Sequence, residues 1–231
     1  MLTSMSTRRL LLAAGMALLG WTLAPAVQAS ADPTAFIKEV SSKAITEMAP
    51  AASETDQQRA AKLKPLLEQY FDMPSIAKYM LGSYWPKATP QEQSEFTAVV
   101  TDFLALAYGK RFASYTGHEM AVGRVRDEGD GRSVVFSTVK LPNGEPARVD
   151  WTIEAAGDSY KIADVKVEGL SLADTHRQEF ASVINNNGGS VGKLIEILKK
   201  KVGNRVPRRS ESERPRIAPR PFSFVPATGH P

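Results

Sequence analysis

The stretch VDWTIEAAGDSYKIADVKVEGLSL, residues 149–172, decides the fold. Val149, Trp151 and Ile153 alternate with polar residues, so they share one face of a strand. Gly157-Asp158 supplies a tight turn, and a second alternating run returns from Tyr160. That run ends at Gly169-Leu170-Ser171-Leu172, a strand-to-helix corner carrying a serine. The corner has two readings. Ser171 is the nucleophile of a hydrolase, or it caps a helix beside a sheet with one apolar face.

Outward from this hairpin, four strand-like runs are expected at roughly 119–126, 133–141, 147–155 and 160–168. Their turns are Gly-Asp-Gly (129–131), Pro-Asn-Gly (142–144) and Ala-Gly-Asp (156–158), short enough to make neighbours antiparallel. Upstream the pattern is helical. Phe36, Val40, Ala44 and Met48 recur four apart over 33–48. Residues 57–70 form a second helix, with Pro65 marking a kink or a start. Pro74 opens a third, and Gly82 ends it or permits close packing. Thr89-Pro90-Gln91-Glu92 is a capping box with proline at the first helical position. It opens a long helix to about Tyr115. Downstream, helices are expected at 172–186 and 191–202. The prediction is one α+β domain: N-terminal helices, a four-stranded antiparallel curved sheet and C-terminal helices, enclosing an apolar cavity.

The ends read differently. Arg8-Arg9, the apolar run 10–23 and the small residues before Ser30 have the form of a secretory signal peptide over residues 1–29. The folded domain is expected over 30–203. Residues 204–231 are rich in Arg, Pro, Ser and Glu and are expected to be disordered. The chain has no cysteine, so neither a disulfide nor an N-terminal lipid-modified cysteine is available. Its formal net charge is +4, but residues 30–198 hold 18 basic against 23 acidic residues. The excess positive charge therefore belongs to the two ends. An acidic domain lacks the basic face that nucleic-acid binding requires.

Chemical motifs are weak. EGLSLA has Ala173 where a nucleophile elbow has its second glycine. The three histidines, His118, His176 and His230, do not follow Ser171 with an intervening acid. Ser171 is better read as an N-cap, with Asp174 at the third helical position suiting the helix dipole. GGSVGKL lacks the first glycine and the terminal Ser/Thr of a phosphate loop. Asp127, Glu128 and Asp130 cluster in a hairpin turn without a calcium-loop pattern. No catalytic set, metal or cofactor is expected.

What stands out is aromatic. Tyr70, Phe71, Tyr79, Tyr84, Trp85, Phe96, Phe103, Tyr108, Phe112 and Tyr115 all lie in the helical half, and Trp151, with Phe136 beside it, is expected to face them. This surplus can wall a small-molecule cavity. From facing and size, the candidate wall is Trp85, Phe96, Val100, Phe103, Tyr108, Phe112, Val149, Trp151, Ile153, Phe180 and Ile184.

FDMPSIAKYMLGSYWPKATPQEQSEF, VDWTIE…YKIADVKVEGLSLA and RQEFASVINNNGGSVGKLIEIL together resemble the MlaC-type periplasmic phospholipid-binding proteins. These are also called toluene-tolerance or Ttg-type ABC-transporter auxiliary proteins; a form associated with hopanoid biosynthesis is a close relative. The resemblance covers about residues 34–200 and rests on Asp72, Leu81-Gly82 with Trp85, Ala88-Thr89-Pro90, and Asp164 followed by Gly169-Leu170-Ser171. It implies a periplasmic, monomeric carrier that encloses phospholipid acyl chains. It also implies partners: an outer-membrane lipoprotein complex and an inner-membrane ABC transporter with an Mce-domain subunit. The alternatives are a hopanoid-associated binding or adaptor protein, and a secreted serine hydrolase using Ser171.

Overall fold

The computed structural model describes residues 32–115, 120–141 and 144–203, without the side chains of residues 112–115. The segments read as signal peptide and tail, and His118 and His230, lie outside the described residues. Among the described residues, six α-helices and five strands follow one another as four helices, the strands, then two helices.

Local chemistry starts each helix where the sequence places it. Asp32 accepts a bond from the Thr34 amide and Pro33 sits in the first turn of α1, Pro33–Glu47. Thr55 and Gln58 form a capping box at the start of α2, Asp56–Tyr70, which carries Pro65 inside it rather than beginning there. Asp72 caps α3, Met73–Leu81. Gly82 ends that helix at φ +54°, and a Cβ there would meet the Arg177 guanidinium at 3.0 Å. Both readings of Gly82 therefore hold: it stops a helix, and it admits a side chain. A 3₁₀ turn, Gly82–Lys87, leads to the expected second capping box, in which Thr89 and Glu92 exchange bonds. It opens α4, Pro90–Tyr115. Long as α4 is, among the described residues no helix is long and apolar enough to cross a membrane.

The strands β1 (Met120–Gly129), β2 (Arg132–Lys140), β3 (Pro146–Ala156), β4 (Ser159–Val167) and β5 (Leu170–Ser171) form one antiparallel sheet in chain order. It is curved and unclosed. Two hairpins turn on two residues with positive φ, Asp130-Gly131 (+51°, +75°) and Glu168-Gly169 (+50°, +80°), the geometry that matches strand twist. The second of these makes the two-residue β5, which the four expected strands did not include. β5 pairs with one end of β4, at Lys166 and Val167. At Ile162 the α2–α3 junction takes over, and the Asp72 amide donates to the Ile162 carbonyl at 3.0 Å. The β4 margin is thus covered. Among the described residues no strand pairs with the β1 margin, and β1 is bulged between Val122 and Val125 and between Asp127 and Gly129.

Register separates the two faces. Val135 pairs with Trp151, which pairs in turn with Val165, while Phe136 pairs with Asp150. Phe136 therefore lies on the outer face, not beside Trp151 as expected, because a one-residue offset on a strand reverses the side. There it is covered by Arg124 and Arg126, 4.6 and 5.5 Å from its ring centre. The inner face packs on the helices and makes one core with them. α4 lies against α2 and α6, Val191–Gly203; α3 lies against α5, Leu172–Asn186. Phe96, Ile37, Ile153, Ile162 and Ile184 are fully buried within that core.

Candidate functional site: an apolar cavity under the sheet

A cavity of about 210 Å³ lies between the inner sheet face and α1, α2 and α4. The sheet contributes Met120, Val139, Ala147, Val149, Trp151, Val165 and Val167. The helices contribute Val40, Ser41, Ala44 and Ile45 of α1, Leu63 and Leu66 of α2, and Tyr108 and Arg111 of α4. Phe71, Leu141 and Leu172 complete it. A smaller space of about 70 Å³ adjoins it, the two sharing Leu63, Phe71, Tyr108, Val165 and Leu172. Arg111 is exposed and Val167 is 36% exposed, so the wall reaches solvent.

Two polar groups of this wall, the Trp151 indole and the Tyr108 hydroxyl, are bonded to other side chains. The Trp151 indole N–H donates to Ser137 Oγ at 2.9 Å, and Ser137 Oγ donates to the Val149 carbonyl at 2.8 Å. Both residues are buried, so the bonds leave the indole to present carbon to the cavity. Tyr108 Oη lies 2.9 Å from His176 Nε2 on α5, Leu172–Asn186. His176 Nδ1 lies 2.9 Å from Glu179 Oε2. A carboxylate only accepts, so Nδ1 carries the proton and the neutral ring accepts the Tyr108 hydroxyl at Nε2. Burial pushes the Tyr108 phenol up to about 12. Phe180 stacks on the imidazole and Phe103 meets its edge.

Burial also lowers the pKa of His176 below its ordinary 6.5, against the opposing pull of Glu179. A depressed value means that the unfolded chain binds the proton first. Stability is then fully present above about 6.5 and falls as pH drops through the folded value. Thermal melts from pH 7.5 to 5 should show a steeper loss for the native protein than for His176→Gln. Parallel curves would show that the imidazole stays neutral in both states.

Of the residues proposed from sequence as a wall, Tyr108, Val149 and Trp151 line this cavity. Phe96, Val100, Ile153, Phe180 and Ile184 sit in close-packed interior elsewhere. Phe96 and Phe180 meet edge to face at 5.8 Å. Phe103 and Trp85 are half-buried against the same core, Trp85 in the 3₁₀ turn with its carbonyl bonded to Gln93. Phe112 falls in the last turns of α4, and its side chain lies outside the described residues. Val149 apart, sequence reasoning missed the aliphatic share of the wall. Its signal was present in the four-residue spacing of Val40 and Ala44, which reads equally as core.

Ser171 is the N-cap of α5, accepting from the Asp174 amide at 3.0 Å. Asp174 in turn accepts a bond from the Tyr79 hydroxyl. His176, on the same helix, has both ring nitrogens engaged by Tyr108 and Glu179. Ser171→Ala should cost 0.5–2 kcal/mol in a chemical-denaturation experiment. Ester hydrolysis present in the native protein and abolished by this change alone would restore the nucleophile reading. Among the described residues, no group of three or more His, Asp or Glu side chains is placed to hold a metal ion.

Helices folded over one face of an open sheet, with an apolar cavity between them, define a small-molecule binding domain of α+β class. The chain belongs to the MlaC family, whose model, described as MlaC protein, matches residues 38–200. The toluene tolerance protein ttg2D of Pseudomonas putida is 27% identical over 135 residues, 58% of this chain and 63% of that relative. The match thus spans a little under two thirds of the relative's length. The phospholipid-binding protein from Ralstonia solanacearum, solved in complex with a phospholipid, superposes with a TM-score of 0.65 at 26% identity. The match covers 76% of this chain and 99% of the Ralstonia chain.

Proposed function

We propose that this protein is a periplasmic phospholipid carrier. Acyl chains enter the cavity under the sheet, and the headgroup stays at the mouth. The observation that carries this reading is the size and lining of the cavity. Apart from Ser41, Arg111 and the polar tips of Tyr108 and Trp151, the described wall is aliphatic and aromatic carbon and thioether. A space so apolar suits a hydrocarbon cargo. Each methylene moved from water is worth about 0.8 kcal/mol, so a single long chain gains on the order of 10 kcal/mol.

The export signal expected at residues 1–29 supports the periplasm as the compartment. The family resemblance supports shuttling between an outer-membrane lipoprotein complex and an inner-membrane ABC transporter with an Mce-domain subunit, which would supply the energy. Organic extraction of the purified mature protein, followed by mass spectrometry, tests the central point. Glycerophospholipid should be recovered with the folded protein. Repeated isolation of well-folded, lipid-free protein that takes up no phospholipid from vesicles would overturn the carrier reading.

A further inference from the structure

We infer that Arg111 is a phosphate anchor at the mouth of the cavity, so that the protein recognises the phosphate common to glycerophospholipids. This rests on the carrier reading above and names the polar half of the same site. Among the described lining residues, Arg111 is the only charged side chain in the cavity wall. It is exposed, so its guanidinium sits where the wall gives way to water. One turn earlier on α4, Tyr108 also lines the cavity, and the Arg111 guanidinium carbon lies 5.8 Å from its ring centre. That contact ties the charge to the cavity's own wall.

The chemistry follows from the cargo. A chain drawn into an apolar space leaves its phosphate at the point where hydrocarbon wall meets water. A guanidinium there offers a planar fork matching two phosphate oxygens, and it remains charged at any physiological pH. Next to a low-dielectric wall the pair is screened less than one fully in solvent. Among the described lining residues, no further charge faces the alcohol beyond the phosphate. The geometry thus favours phosphate esters over neutral diacylglycerols of the same chains, without choosing among headgroup alcohols.

The test is a ratio of affinities. Dihexanoyl phosphatidic acid and dihexanoylglycerol are titrated into delipidated protein, native and Arg111→Ala, with thermal melts to confirm folding. The native protein should prefer the phosphate ester about tenfold, and Arg111→Ala should bring that ratio close to one. Arg111→Lys, which keeps the charge but loses the fork, should fall between them and serves if the alanine variant does not fold. An unchanged ratio in both variants would overturn the anchor while leaving the carrier reading intact. Failure of the native protein to bind either lipid would overturn the carrier reading and the anchor with it. Inorganic phosphate titrated alone should show no binding, since an exposed ion pair without chains is weak. Saturable phosphate binding lost in Arg111→Ala would assign the site to a free anion instead.

Discussion

Trp151→Ala should destabilise the domain by about 3–5 kcal/mol, the range for deleting a large buried aromatic. Trp151 is 5% exposed and sits in the middle of the inner sheet face, paired with Val135 on one side and Val165 on the other. The loss is twofold. The indole's contacts go, and the Ser137 hydroxyl loses the donor that now reaches it. Neighbours cannot collapse fully onto the gap, because the cavity already lies on that side. Against a typical stability of 5–15 kcal/mol such a loss brings the domain near unfolding at body temperature. Urea denaturation of the native and variant proteins measures it directly. Trp151→Phe should recover most of the packing and retain a smaller penalty of about 1 kcal/mol for the orphaned hydroxyl contact. A change below 1 kcal/mol for the alanine variant would mean that the indole is not built into the core.

The second large effect concerns cargo. Ala147→Phe should remove bound phospholipid while leaving the fold intact or slightly stabilised. Ala147 is 3% exposed and lines the cavity near one end of β3, opposite Val139. A benzyl group placed there projects into space the fold leaves open. It therefore escapes the usual penalty for overpacking a filled core, and it takes volume from the acyl chain. Co-purified lipid, measured by mass spectrometry, should drop at least tenfold with no fall in melting temperature. Full lipid retention in a folded variant would place the chains somewhere other than under the sheet.

How far the structure was legible in the sequence depended on what each signal encodes. The long elements were readable because their periods and caps are local. Thr89 and Glu92 announce α4, and Ser171 with Asp174 announces α5, through bonds spanning three residues. β5 was not readable, because two residues carry no period. Phe136 was misplaced for a related reason: the side a strand residue faces depends on pairing register, which only the assembled sheet fixes. The cavity was the least legible feature. Size and facing mark which side chains leave water, and on that basis Phe96, Ile153 and Ile184 look like Trp151. All are buried; what distinguishes Trp151 is open space beyond it. That space is an absence of atoms shared among α1, α2, α4 and the sheet, and it belongs to no segment. Small and middling residues such as Ala44, Leu63 and Val165 make it by being no larger.

An unclosed sheet always leaves a margin, and in this molecule the margin is β1. Among the described residues, its backbone donors and acceptors on that side face no further strand. Such an edge is a template on which a second chain can crystallise, especially at the concentrations of a crowded compartment. The two bulges in β1 break the straight row a newcomer would need, and Arg124, Arg126, Asp127 and Glu128 line it with charge of both signs. The openness that gives the inner face its curve is thus paired with a strand ill suited to recruiting copies of itself. A domain with an apolar cavity under its sheet can in this way keep that sheet open without seeding a fibre.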